Sequence, residues 1–211
     1  MPITINGDGS ITGLSAGGLP AGSVTDATIA GMASSKLTGA LPAISGASLT
    51  GLTAGISDFD EWYVNSSTGT ESPITNWTRS SASDSRHGVK GGAMSHSSGI
   101  WTFPSTGYWF ISFTGWSFRQ NAANRYAQYR IMTTSNNSSY AEQASNGNSN
   151  NSFSGDGNGA TYNSSHSQTI FDVQNTSNYK VRFDVDIEDQ STSTMGGRNF
   201  TSFTVMKLGD T

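Results

Sequence analysis

The aromatic residues of this chain are confined to its C-terminal part. All 10 Phe, 5 Trp and 7 Tyr lie at or after Phe59, whereas residues 1–58 consist mainly of Gly, Ala, Ser, Thr and isolated aliphatic residues. Aromatic side chains dominate the energetics of protein cores, so the N-terminal segment cannot build a core alone. The asymmetry predicts a thin stalk or anchor followed by a globular head, which is more typical of fibrous binding proteins than of enzymes.

The composition restricts the partners that the chain can bind. Charged residues make up 12% of the 211 residues, about half of the usual share of roughly 25%. The net charge is −4 with only 11 Lys and Arg, and nucleic-acid binding depends on neutralising phosphates with clustered basic residues. We therefore expect no nucleic-acid partner.

The chain contains no cysteine and no long apolar run. Disulfides and thiolate chemistry are therefore excluded. The first residues lack the basic and apolar regions of a secretory signal, and no stretch approaches the roughly 18 apolar residues of a membrane span. We expect assembly in a reducing cytoplasm, release by cell lysis, and no insertion into a membrane.

Residues 1–56 repeat short phrases irregularly. Ile-Thr-Gly-Leu at 11–14 returns as Leu-Thr-Gly-Leu at 49–52, and single aliphatic residues recur every few positions. A short helix is predicted at 24–36, with Ser23 or Thr25 as its cap. Two interpretations are open for the whole segment, namely a disordered linker, or a stalk in which three chains bury their aliphatic residues together or dock onto a larger assembly. The steady supply of aliphatic residues favours the second.

The head, residues 57–211, shows the pattern of an all-β domain. Its most regular stretch alternates Val181, Phe183, Val185 and Ile187 with polar residues, as expected for a strand with one buried face. Eight strands are predicted, at 61–65, 74–79, 100–103, 108–118, 125–132, 169–173, 179–187 and 200–208. Short strands separated by Gly, Ser and Asn indicate a sandwich or jelly roll.

Two parts of the head depart from this simple alternation. The predicted strand 108–118 is aromatic on both faces, so it lies either inside the sandwich or against a neighbouring subunit. The stretch 133–167 is rich in Asn and Ser, and a loop of this length is usually functional or disordered. A further interpretation is that it contains one or two edge strands.

Three motifs in the head resemble the C1q and tumour-necrosis-factor-like domains. Residues 98–110, Ser-Gly-Ile-Trp-Thr-Phe-Pro-Ser-Thr-Gly-Tyr-Trp-Phe, resemble the family signature G-x-F-x-x-P-x-x-G-x-Y-x-F. Residues 178–183 and 200–208 resemble two later strands of the family, in the expected order. The resemblance covers residues 57–211 and implies a ten-stranded jelly roll that binds partners without catalysis.

The same resemblance implies a homotrimer built around an aromatic axis. For this trimer core we expect the residues Trp101, Tyr108, Trp109, Phe110 and Phe203.

The N-terminal phrases resemble the low-complexity shafts of bacteriophage tail fibres. The phrases are Ile-Thr-Gly-Leu, Leu-Thr-Gly-Ala and Leu-Thr-Gly-Leu. This resemblance implies a trimeric virion fibre or knob, in which residues 1–56 attach to another virion protein and the head binds a host cell-surface molecule. One alternative is a capsid decoration protein of the virion. Another is a secreted lectin-like binding module.

The residues give no sign of catalysis. The histidines, His87, His96 and His166, show no metal-binding spacing, and no Gly-x-Ser-x-Gly segment marks a nucleophile. We expect that the chain is not an enzyme and that the histidines lie at surfaces or interfaces.

An acidic cluster is a candidate metal site. Asp184, Asp186 and Glu188 alternate along a predicted strand, followed by Asp189. One interpretation is a solvated outer face whose like-charge repulsion is relieved by Arg182. The other is a Ca²⁺ site, here or at Asp156 in the Gly-rich stretch. We expect no other cofactor.

A candidate ligand-binding site lies in the Asn-rich stretch. Its residues are Tyr140, Phe153, Asp156, Asn158 and Tyr162. Aromatic rings beside amide groups suit sugars, because rings stack on apolar sugar faces while amides bond to hydroxyls. The alternative is that these aromatic residues tether the stretch to the head or fill a groove between subunits.

Overall fold

A computed structural model describes residues 4–5, 11–12, 55–81, 89–152 and 159–211. The chain divides into two compact units, Met1–Leu52 and Thr53–Thr211. In the first unit the described residues form two short antiparallel strands, β1 (Thr4–Ile5) and β2 (Ile11–Thr12). The helix predicted at 24–36 lies outside the described residues. The division between stalk and head at residue 56 stays a prediction.

The regular secondary structure in the described part of the second unit consists of β-strands. They are β3 (Phe59–Val64), β4 (Trp77–Arg79), β5 (Ser95–Ser97), β6 (Ile100–Thr102), β7 (Gly107–Gln120), β8 (Asn124–Thr134), β9 (Ala141–Asn150), β10 (Ala160–Val173), β11 (Lys180–Ile187), β12 (Ser193–Thr194) and β13 (Ser202–Gly209). Each of the eight predicted strands overlaps one of them. The described residues contain no helix. They therefore contain no helix that is long and apolar enough to cross a membrane.

These strands form two antiparallel sheets that pack face to face. The β7 sheet has the order β10-β7-β13-β3-β4, with β12 also paired to β7. The β11 sheet has the order β5-β6-β11-β8-β9. Non-consecutive strands are neighbours in both sheets, as in a jelly roll. The predicted fold class, an all-β jelly-roll sandwich, is confirmed.

The core between the sheets is dominated by aromatic rings. Phe183 of β11 stacks on Phe203 of β13 with ring centroids 4.2 Å apart, and Trp77 meets Phe203 edge-on at 5.0 Å. Such pairs add roughly 0.5–1.5 kcal/mol each beyond the area that they bury. The inward residues of both sheets therefore account for the stability of the head.

The prediction of the trimer core is wrong for three of its five residues. Trp101, Trp109 and Phe203 are 0%, 1% and 1% exposed in a single chain, because they point into the sandwich. They are unavailable to a neighbouring subunit. Tyr108 and Phe110 point outward from β7.

The Asn-rich stretch forms strands, as one of its three interpretations proposed. Strand β9 and the first part of β10 come from it, and they are the edge strands of opposite sheets. Alternate side-chain amides of β9 bridge the two edges by donating hydrogen bonds to backbone carbonyls of β10. The pairs are Asn146 to His166 (2.8 Å), Asn148 to Asn163 (3.4 Å) and Asn150 to Thr161 (3.2 Å). This amide ladder closes one side of the sandwich, where backbone pairing alone would leave open edges.

Gly115 is required by the packing of the two sheets. It points inward from β7, and a Cβ built there would lie 2.2 Å from the ring of Tyr129 on β8. Tyr129 is fully buried and meets Phe113 edge-on, so the ring has little room to move. A side chain at position 115 would therefore push the sheets apart locally.

We expect Gly115→Ala to lower the free energy of unfolding of the head by about 1–3 kcal/mol, the usual cost of overpacking a core. Chemical denaturation of the full chain measures this change. Gly147→Ala is the control, because the nearest atom to its added Cβ is a carbonyl oxygen 3.4 Å away. Equal losses in the two variants would show that the contact with Tyr129 is not the cause.

Candidate functional site

The outward side of the β7 sheet carries apolar residues on four adjacent strands. Strand register places Ile170, Phe110, Met206 and Phe59 side by side on four adjacent strands. Together with Tyr108, Trp116, Phe118 and Tyr162 they form what we call the outer aromatic face. Its position follows from β7, whose residues alternate between the core and the outside over 14 positions.

Several residues of the outer aromatic face are exposed in the single chain. Ile170 is 59% exposed, Tyr162 51% and Tyr108 44%. Within the face, Phe118 packs against Tyr162 at 5.1 Å, and Trp116 meets Phe200 edge-on at 5.6 Å. Exposed apolar residues grouped on one face of a domain mark a site of interaction. The face is therefore a candidate binding surface.

The two described aromatic residues of the predicted ligand site lie on opposite sides of the sandwich. Tyr162 belongs to the outer aromatic face. Tyr140 precedes β9 in the other sheet, where the guanidinium of Arg182 lies 4.5 Å from its ring centroid. Burial raises the pKa of Tyr140, and its hydroxyl is buried without a hydrogen-bond partner among the described residues. Phe153, Asp156 and Asn158 lie outside the described residues.

The three acids of the candidate Ca²⁺ site each contact an arginine. Asp184 is buried, and its Oδ2 accepts hydrogen bonds from Ser72 Oγ (2.7 Å) and Arg182 Nη2 (3.0 Å). Asp186 accepts one from Arg130 Nη2 at 2.7 Å. Glu188 is bonded by both the backbone N and the Nε of Arg125.

Two hydrogen bonds from Arg125 hold the pKa of the Glu188 carboxyl below its usual range, and the bond from the backbone N has the larger effect. In the described ranges no group of three or more His, Asp or Glu side chains is placed to hold a metal ion. The geometry thus favours ion pairs over a Ca²⁺ site at these acids.

We expect millimolar CaCl₂ to leave the midpoint of thermal unfolding unchanged within about 1 °C, because a cation that does not bind the folded state does not stabilise it. Differential scanning calorimetry with NaCl at equal ionic strength as the control measures this. Stabilisation by several degrees that persists in Asp156→Asn would contradict the assignment of these acids to ion pairs.

The two described histidines occupy different environments. His96 stacks on Trp101 with centroids 4.3 Å apart, and burial, with a smaller effect of the charge of Arg79, lowers its pKa. His166 shares a hydrogen bond of 3.0 Å between its Nδ1 and Thr114 Oγ1 on the outward side of the β7 sheet. His87 lies outside the described residues.

No protein-family model matches the chain, and no curated protein matches it. Solved structures do show the same fold. Eiger TNF from S. frugiperda is 10% identical, with a TM-score of 0.50 over 72% of this chain and 93% of that structure. Murine APRIL at pH 5.0 is 10% identical, with a TM-score of 0.51 over 72% of this chain and 98% of that structure.

At this level of identity the likeness shows the fold alone. The chain carries a TNF-like jelly roll, as the motifs at 98–110, 178–183 and 200–208 indicated. The virion context and the trimer are matters for proposal.

The sequence contained a signal for the outer aromatic face that pointed to the wrong residues. The strand predicted at 108–118 has large apolar residues at both odd and even positions. Sequence alone does not determine which parity faces the core, so the buried Trp109 and the outward Tyr108 and Phe110 have the same sequence signal. Ile170 and Met206 join the face only through strand register.

Proposed function

We propose that the chain is a structural protein of a bacteriophage virion, a homotrimeric fibre or knob whose head binds the host surface. Residues 1–56 attach it to another virion protein. The outer aromatic face is the observation that carries this proposal, since a sandwich with a complete core still presents apolar residues on four adjacent strands. The repeated N-terminal phrases, which resemble fibre shafts, support the virion context.

The occupant that we propose for the outer aromatic face is a second copy of the same head. The residues between its rings are mostly uncharged, such as Ser112, Thr114 and Thr204, and register adds two acids to the same side, Glu61 beside Thr204 and Asp172 beside Tyr108. Threefold association of such faces surrounds an aromatic axis, as the resemblance to C1q and TNF-like domains implies. Each subunit then offers its own contact to the host.

Trimeric assembly would set the mechanism of attachment. One weak contact per subunit becomes strong when linked copies bind together, because each later contact is intramolecular. The proposed activity is binding and not catalysis. Localisation to the virion, after assembly in the host cytoplasm, follows from the same proposal.

Gold-labelled antibodies against the head, applied to purified particles, test the proposed location. Label at the tail supports host attachment, and label over the capsid favours the alternative of a decoration protein. Particles without label, with the chain free in the medium, would contradict the virion proposal and favour a secreted lectin-like module. Deletion of residues 1–56 should abolish incorporation into particles while leaving the head folded.

We expect Ile170→Asp to weaken self-association by about tenfold or more, because an apolar contact is replaced by a desolvated charge. Sedimentation equilibrium of the full chain measures this. Tyr126→Asp is the matched control, since Tyr126 is also exposed but lies on β8 of the opposite sheet. Equal effects of the two variants, or none from Ile170→Asp, would contradict assembly through the outer aromatic face.

A further inference from the structure

The β11 sheet contains a buried lysine whose ammonium forms no ion pair with the acids that the structure describes. Lys180 is 9% exposed, and within the described residues no acidic side chain forms an ion pair with its Nζ. Its neighbour Arg182, by contrast, is paired with Asp184 at 3.0 Å. A buried ammonium without a counter-ion is costly, and this burial lowers the pKa of Lys180.

The hydrogen bonds of Lys180 leave one donor unused. Its Nζ donates to Thr102 Oγ1 at 2.8 Å and to the carbonyl oxygen of Thr176 at 2.7 Å. An ammonium has three N–H donors. The two partners hold the lysine in a fixed position and leave the third N–H for another acceptor.

An open groove of about 530 Å³ gives access to this lysine. We call it the Lys180 groove, and its polar lining consists of Ser95, Ser97, Ser98, Thr102, Asn137 and Lys180. Ile100 supplies an apolar portion, while the ring of His96 points to the other side of β5, where it stacks on Trp101. This volume is within the range of roughly 300–1,000 Å³ that is typical of small-ligand sites.

Both walls of the groove are held by local turn geometry. On one side, Ser98 (φ 50°) and Gly99 (φ 78°) form the two-residue turn between β5 and β6, a type in which both central residues take positive φ. A Cβ at position 99 would lie 2.3 Å from the Ile74 carbonyl oxygen, so the turn packs closely on the chain beneath it.

On the other side of the groove, Asn136 fixes the turn that follows β8. Its Oδ1 accepts hydrogen bonds from the backbone N of Ser138 (3.0 Å) and of Ser139 (2.9 Å). The backbone N of Asn137 donates to the Asn178 carbonyl oxygen at 2.9 Å. The exposed side chain of Asn137 is thereby presented at the rim. The groove is preformed, which reduces the entropic cost of binding.

The chemistry of the lining specifies the ligand. One ammonium with one free donor matches a singly charged carboxylate, and the groove lining contains no arginine to supply the paired donors that bind phosphate in a bidentate way. The surrounding hydroxyl and amide groups match a hydroxylated body, and Ile100 offers an apolar contact for its C–H groups. We propose that the Lys180 groove binds an acidic sugar, whose carboxylate accepts the third N–H of Lys180. This inference rests on the proposed role in host-surface binding and names the class of surface molecule.

Binding of the full chain to a polymer carrying glucuronic acid, compared with the same polymer carrying glucose, tests this assignment. The two sugars differ by a carboxylate in place of a hydroxymethyl group. Surface plasmon resonance should show binding to the glucuronic acid polymer that is about tenfold or more tighter, as expected for a charge-assisted hydrogen bond. Equal binding to both polymers, or binding to neither, would overturn the inference.

Lys180→Met should abolish this preference, because it keeps the length of the side chain and removes the charge. Lys207→Met is the matched control, since Lys207 is comparably buried on β13 but is paired with Asp210 at 2.7 Å. Ser97→Trp places a large side chain in the groove from an exposed position. It should also abolish the preference, and it provides the test if Lys180→Met does not fold. Retained preference in folded Lys180→Met or Ser97→Trp would overturn the inference.

Competition and cell binding separate the remaining outcomes. Sodium glucuronate should displace the chain from the glucuronic acid polymer, and inorganic phosphate at equal concentration should not. Displacement by phosphate to the same extent would overturn the assignment to a sugar carboxylate.

If the chain binds host cells and Lys180→Met binds them equally, the inference fails while the proposed function stands. If the wild-type chain binds no host cell, the proposed function fails.

Discussion

The two-residue periodicity of strand β7 is the constraint on which the rest of the head depends. Its inward residues, such as Trp109 and Phe113, complete the core, while its outward residues, such as Phe110 and Trp116, remain apolar. Most strands of a sandwich are apolar on one face only. A strand that has apolar residues on both faces, paired with β10, β13 and β12, gives the sandwich a second apolar surface that the described strands of the head leave partly exposed.

Polar uncharged side chains form many of the hydrogen bonds that hold the edges and turns of this fold. The amide ladder of Asn146, Asn148 and Asn150 joins the sheet edges through hydrogen bonds to the backbone. Asn136 fixes a turn in the same way, and serine hydroxyls line the Lys180 groove. A composition with 12% charged residues thus reflects a fold that is closed by amides and hydroxyls. It also makes the buried ammonium of Lys180 conspicuous, because it forms no ion pair with the described acids.

Those parts of the fold that follow from apolar periodicity were predictable from the sequence. Strand β11 was evident from Val181, Phe183, Val185 and Ile187, whereas β9 contains almost no apolar residue and is stabilised by side-chain amides, which leave no periodic signal. Which residues of β7 face the core was not predictable, because both parities are apolar. The Lys180 groove could not be predicted either, since Ser95, Asn137 and Lys180 come together only through the register of β5, β6 and β11 and a turn after β8.

The account requires that the outer aromatic face be covered by other copies of the chain in solution. Static light scattering of the full chain at micromolar concentration tests this most directly. The account predicts a mass of three times 22.2 kDa. A mass of 22.2 kDa, unchanged on concentration, would mean that Ile170, Phe110 and Met206 stay exposed to water, and it would contradict the trimer on which the proposed attachment depends.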